Sequence, residues 1–243
     1  GSKGFTQVHG TFKTILDRKL SRNTCEFFST FESDNHYHFP YCDNQGNVVA
    51  YKKRQVDDKK YSISGNWRDG KMFGQHLFSA GQSVLTICEG EWDAMSTWQM
   101  LGGVSTYPVI SVRNGAGSAL NDCKNNFEYI DSFDTIVVCF DMDPQGREAS
   151  QQVAELFGSK VKVFKNNGSI KDASEYLQHS RGEAFVKEWW NAERFVPDGI
   201  VDGSTLWDIV SAPMEDSLIN YPYKGLNDLT YGIRPNEMVI VAA

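Results

Sequence analysis

The stretch Thr135-Ile136-Val137-Val138-Cys139-Phe140-Asp141-Met142-Asp143 decides the fold. An apolar run without polar alternation is the pattern of a strand buried on both faces. It stops at two acids one residue apart, so the carboxylates of Asp141 and Asp143 fall where the chain leaves the sheet. Short apolar runs recur at 83–88, 109–112 and 161–164. Amphipathic helical patterns stand between and after them, at 92–101, 119–129, 147–157 and 173–177. Strand-helix alternation predicts a parallel, doubly wound sheet. In such sheets ligands sit beyond the carboxyl ends of the strands.

Outward from this core the pattern changes on both sides. Upstream, 37–63 alternates and is rich in aromatics, with Asp43-Asn44-Gln45-Gly46-Asn47 as one turn and Asp57-Asp58 as a second, which predicts an antiparallel sheet. Before it, 11–28 reads as a short helical stretch with Ile15, Leu16, Leu20 and Phe27 inward. Downstream, 182–195 predicts one more helix carrying Trp189 and Trp190, and Pro197-Asp198-Gly199 marks a break. The expected organisation is an N-terminal α+β part over 1–82, the parallel sheet over 83–196, and a tail over 197–243. The tail should hold a helix near 204–210 and end on a strand-like run, Met238-Val239-Ile240-Val241-Ala242-Ala243.

The formal charge of −7 excludes a protein that coats nucleic acid by bulk electrostatics, since phosphate neutralisation needs clustered Lys and Arg. One local cluster exists, Lys52-Lys53-Arg54 followed by Lys59-Lys60. Five cysteines without a Cys-x-x-Cys pair suit neither a disulfide framework nor a four-thiolate zinc site, which points to a reducing, intracellular compartment. No stretch has the apolar length of a signal peptide or membrane span. Gly1-Ser2 reads as a scar of tag removal, and the chain as a piece of a longer one.

The chemistry lies in the acids after the apolar runs. Glu89 and Glu91 follow 83–88, Asp141 and Asp143 follow 135–140, and Asp172 follows the fourth strand after a loop. Hard cations such as Mg²⁺ or Mn²⁺ bind through a few carboxylates plus substrate phosphates. Asp141 and Asp143 are candidate ligands. Glu89 is a ligand or the base that takes a proton from an attacking hydroxyl. Asp93, four residues after Glu89, points back to the same edge as a supporting group.

Other features keep two readings. Arg113-Asn114-Gly115-Ala116-Gly117 either cradles phosphate on its backbone amides, with Asn114 near the site, or only turns the chain into a helix. His36, His38 and Cys42 suggest a metal site, though strand alternation alone puts both histidines on one face. Trp189 and Trp190 either stack bases or fill core.

Four segments come in a telling order: Thr86-Ile87-Cys88-Glu89-Gly90-Glu91-Trp92-Asp93-Ala94, Ser111-Val112-Arg113-Asn114-Gly115-Ala116-Gly117, Cys139-Phe140-Asp141-Met142-Asp143-Pro144-Gln145-Gly146-Arg147 and Lys171-Asp172-Ala173-Ser174-Glu175. They resemble the TOPRIM fold, and in order and spacing the primase-helicases of T7-like bacteriophages, relatives of the mitochondrial helicase Twinkle. In the tail, Val196-Pro197-Asp198-Gly199-Ile200-Val201 resembles the start of the family's linker. Gly225-Leu226-Asn227-Asp228-Leu229 with the final apolar run resembles the approach to its helicase phosphate loop. That loop, Gly-x-x-x-x-Gly-Lys-Ser/Thr, is not among these residues, so ATP hydrolysis by that route is not expected of them.

The resemblance implies a DNA primase that makes short RNA primers on single-stranded DNA from ribonucleoside triphosphates. Glu89, Asp141 and Asp143 would be catalytic and, with Asp172, hold Mg²⁺ or Mn²⁺. Lys53 and Lys59, with Arg54, Lys60 and Lys171, would bind nucleotide phosphates. Partners would be the helicase domain, neighbouring subunits and a replicative DNA polymerase, with no membrane, in the host cytoplasm if phage-encoded. No zinc is expected here, because the paired cysteines of the family's N-terminal zinc module are missing. The alternatives are a TOPRIM nuclease, or an inactive TOPRIM arm of a replicative helicase.

Overall fold

In the computed structural model, residues 7–166, 170–195 and 219–233, with Trp207, Ser211 and Ile240, are described. Residues Gly1–Pro197 form one compact unit and Asp198–Ala243 another.

The first unit opens with a 3-10 turn at Leu16–Arg18 and helix α1 (Arg22–Phe27). The expected single helix over 11–28 does not form. Lys19 takes a left-handed conformation, φ 54°, and the Ser21 hydroxyl caps α1 by accepting from the Thr24 amide, so the helix starts there. Leu16, expected inward, is exposed as a result, whereas Ile15 and Leu20 are buried.

An antiparallel sheet follows in the order β1 (Phe31–Ser33), β2 (His36–Cys42), β3 (Val48–Gln55) and β4 (Tyr61–Gly65). Its three connections are the two-residue turn Asp34-Asn35, both at positive φ, and the expected turns at Asp43–Asn47 and Asp57–Asp58. Asp43 builds the second by accepting from the amides of Gln45 and Asn47, the Asx-turn habit of aspartate. The pleat gives the sheet two faces. Tyr37, Phe39 and Tyr41 lie across from Arg54, Lys52 and Ala50 on one, and this face packs on Trp92. His38 and Pro40 lie across from Lys53 and Tyr51 on the other. His38 stacks there on Phe31, ring centroids 5.1 Å apart.

The second sheet has the order β6-β5-β7-β8-β9. Its elements are β5 (Val84–Cys88), α2 (Glu91–Met100), β6 (Val109–Ser111), α3 (Ala119–Asn125), α4 (Phe127–Asp131), β7 (Thr135–Cys139), α5 (Pro144–Phe157), β8 (Val161–Val163), α6 (Ala173–Gln178), α7 (Gly182–Trp190) and β9 (Glu193–Arg194). Strands β5 to β8 are parallel and β9 joins β8 antiparallel. The expected helix over 119–129 is two helices meeting at Asn126. The last expected helix stops at Trp190, and 193–194 forms an edge strand instead. The α/β class with an antiparallel sheet ahead of a mostly parallel TOPRIM-type sheet is as expected.

The two sheets share one core. Trp92 of α2 meets Tyr37 and Phe39 at centroid distances of 5.0 and 4.7 Å, and Phe27 of α1 stacks on Trp98 at 4.1 Å. Trp189 is core as well, its indole donating to Thr86 Oγ1, while Trp190 is exposed.

In the second unit Lys224–Thr230 is helical and Ile219 bridges Ile233. The expected helix at 204–210 and terminal strand at 238–243 fall outside the described residues, Trp207 and Ile240 apart. Among the described residues no helix is long and apolar enough to cross a membrane.

Candidate active site

From β5 the chain runs out to β6 on one side, and from β7 to β8 on the other. The crevice beyond the carboxyl ends of β5 and β7 is therefore the point where strand order reverses, the usual ligand position in such sheets. Glu89 leaves β5 and Asp141 leaves β7 at this crevice. A cavity of roughly 510 Å³ opens there, lined on one side by Glu89, Asp93, Asp141 and Asp172 and on the other by Arg18, Lys52, Arg54 and Lys59.

Backbone contacts fix the acids. Glu89 Oε1 accepts from the Ala116 amide at 3.3 Å and Oε2 from the Asp141 amide at 3.2 Å, so one carboxylate ties three segments together. Burial and the Asp141 charge push its pKa up, against those two amides. Asp141 Oδ2 pairs with Lys171 Nζ at 2.8 Å, and that hydrogen bond raises the lysine pKa. Asp172 caps α6 by accepting from the Glu175 amide, and burial raises its pKa. Asp93 accepts from the Ser174 amide at 3.1 Å. Burial, then the charges of Asp172 and Asp141, push it well above the usual carboxylate range. Asp143 is exposed at the start of α5, which it caps through the Gly146 amide, and it is not in the cavity wall.

The cationic side departs from expectation at single residues. Arg54 and Lys59 line the cavity; Lys53 and Lys60 do not. Lys53 is one residue along β3 from Arg54, so the pleat turns it to the other face beside His38. Lys60 is exposed and pairs with Asp58. Lys52, two residues before Arg54, shares the cavity face. Its ammonium reaches Glu91 Oε1 at 2.8 Å and the Arg113 carbonyl at 3.0 Å. Period-two alternation was the signal that could have found it. Arg18 had no such signal. It comes from the 3-10 turn, lies 4.6 Å over the Trp92 ring and donates to Ser174 Oγ. Burial and the nearby Arg54 charge lower its pKa.

The Arg113 turn is split in role. Arg113 faces away, held to Asp122 at 2.8 Å and donating to the carbonyls of Trp67 and Gly70. Asn114 and Gly115 line the cavity. Gly115 sits at φ 70°, ψ −170°, a conformation essentially reserved for glycine.

Among the described residues no three His, Cys, Asp or Glu side chains converge closely enough to cage a metal ion. The carboxylates surround a cavity and load it with mutual repulsion. This donor set fits a hard cation held by one or two carboxylates, with substrate phosphates and water completing the shell.

The Toprim-like family pattern matches residues 86–177. A DNA helicase/primase of Enterobacteria phage T3 is 32% identical over 248 residues, covering 98% of this chain and 43% of that protein. The chain thus spans less than half the length of this relative. The primase fragment of the bacteriophage T7 primase-helicase superposes with a TM-score of 0.68 at 29% identity, covering 78% of this chain and 82% of that one. A chain from the T7 lagging-strand DNA polymerase complex with two primase domains, an RNA/DNA hybrid and dTTP gives 0.67 at 30% identity, covering 76% and 93%.

Proposed function

The chain belongs to the TOPRIM-type primases of T7-like phage primase-helicases, and from that premise we propose that it joins ribonucleotides into short RNA primers on single-stranded DNA. The observation that carries the proposal is the two-signed cavity at the strand-order switch, acids from the parallel sheet facing cations from the antiparallel one.

In this reading Arg54, Lys59 and Arg18 take the triphosphate of the incoming nucleotide, with Lys171 at the acidic rim. The 3′ hydroxyl of the first nucleotide attacks the α-phosphorus of the second. The new P–O bond forms as the bond to the β-phosphate oxygen breaks, and pyrophosphate leaves with that electron pair. Glu89 takes the hydroxyl proton, for which its raised proton affinity suits it. Asp141, with Asp143 and Asp172, would hold Mg²⁺ or Mn²⁺, which when bound supplies charge neutralisation on the phosphates and acidifies the hydroxyl. Asp93 and Asn114 support the acidic wall. Lys52, already paired with Glu91, holds the two sheets together at the cavity floor.

The partners belong to the same reading and are supported by what the relatives' names say of those proteins: single-stranded DNA as template, a helicase domain with neighbouring subunits, and a replicative polymerase that receives the primer inside the host cell. The test is primer synthesis from labelled ribonucleotides on mixed-sequence single-stranded DNA with Mg²⁺ or Mn²⁺. Labelled oligoribonucleotides are expected from the wild type, with at least a hundredfold loss in Glu89→Gln, about the size of a lost general base. Undiminished synthesis by that variant, or strand cleavage that needs no ribonucleotides, would sink the proposal.

A further inference from the structure

The cavity contains charge on two sides and one accessible aromatic surface. Tyr61 opens β4 directly across from Arg54 and lines the cavity with Arg54 and Lys59. The residue is 59% exposed, with the Lys52 ammonium over one face of its ring, 5.1 Å from the centroid. The other aromatic of the wall, Trp92, also carries a cation over its ring, the Arg18 guanidinium, but at 6% exposure it has no second face open. Tyr61 is thus the aromatic of this wall able to receive a flat ligand.

An exposed tyrosine needs no explanation on an ordinary surface. Here it stands beside the cations that take phosphate, at the edge of a cavity large enough for a nucleotide. Charged walls bind the triphosphate but offer nothing to the apolar face of a base. We propose that Tyr61 is the stacking platform for the base of the ribonucleotide whose phosphates lie on Arg54 and Lys59. The inference rests on the nucleotide reading of the cavity. It assigns the base to the antiparallel sheet and leaves the reacting phosphate to the parallel one. Because every base has a π-face, such a platform holds all four nucleotides and favours purines by stacking strength alone.

The test compares two ligands of the full chain in Mg²⁺: ATP, and inorganic tripolyphosphate, which keeps the phosphates and lacks the base. In Tyr61→Ala, on an exposed edge strand where truncation is tolerated by the fold, ATP affinity is expected to fall about tenfold while tripolyphosphate affinity holds. Tyr61→Phe, which restores the ring, should rescue ATP binding. Unchanged ATP binding in Tyr61→Ala overturns the proposal. So does an equal loss for both ligands, which would make Tyr61 a support for the cations. If affinity for an oligo-dT strand falls and that for ATP does not, the ring serves the template and the proposal is wrong. A wild-type chain that binds neither ATP nor tripolyphosphate removes the nucleotide reading itself, and this inference with it.

Discussion

Gly146 sets the position of Asp141. It lies in the first turn of α5, and a Cβ added there would stand 2.1 Å from the Asp141 carbonyl oxygen. No rotamer change relieves such a contact, because both partners are backbone. In an exposed helix, Gly→Ala ordinarily stabilises by roughly 1 kcal/mol. Gly146→Ala should do the reverse here, costing about 1–3 kcal/mol by overpacking and cutting primer synthesis at least tenfold as Asp141 is displaced. A melting curve and an initial-rate assay decide the matter; a higher melting temperature with full activity would show that α5 can slide away. Such a role was invisible in the sequence, where Gly146 reads as one more residue after Asp-x-Asp. By contrast Glu89, Asp141 and Asp172 were legible from a simple rule, acids following buried runs.

At the scale of the element, strand register decides which cation serves the site. The antiparallel sheet is readable from alternation, yet within the basic run of β3 the family resemblance points to Lys53 beside Arg54, whereas the pleat gives the cavity face to Lys52 and Arg54. The edge strand β9 has two residues, too short for any period to show. Helix α5 raises a different ambiguity, since its first residue is Pro144 and its cap is Asp143, a common way to start a helix. A cap explains Asp143 without any metal. The two roles separate by substitution: Asn caps as well as Asp but carries no charge. Asp143→Asn should keep stability within about 0.5 kcal/mol and lose primer synthesis, whereas Asp143→Ala should lose both, the stability by about 1 kcal/mol. An Asn variant as active as wild type would reduce Asp143 to a cap.

Across the whole molecule, the acidic wall is a cost that the fold carries. Its groups come from β5, α2, β7 and the loop before α6, so the repulsion among them arises only when the first unit assembles, and a sequence read segment by segment cannot weigh it. Glu89, Asp93 and Asp172 all have raised pKa values in the folded chain. For a carboxylate, a folded value above the unfolded one means that the native state binds the proton more tightly. Stability is therefore fullest below the ordinary carboxylate range near about 4, and falls as pH rises through the raised values. At neutral pH the penalty is in place, and a divalent cation held in the cavity as proposed would offset it. A ligand at about 100 times its Kd stabilises by about 2.7 kcal/mol, roughly 5–10 °C in Tm for a domain of this size. Melting curves at pH 7.5 with and without Mg²⁺ should show that rise, and it should shrink as pH is lowered toward the carboxylate range, where protons compete with the cation for the wall. In Asp141→Asn the repulsion is lower and a proposed ligand is missing, so the melting temperature without metal should be higher and the response to Mg²⁺ smaller. A Mg²⁺ response identical in wild type and Asp141→Asn would place the cation elsewhere.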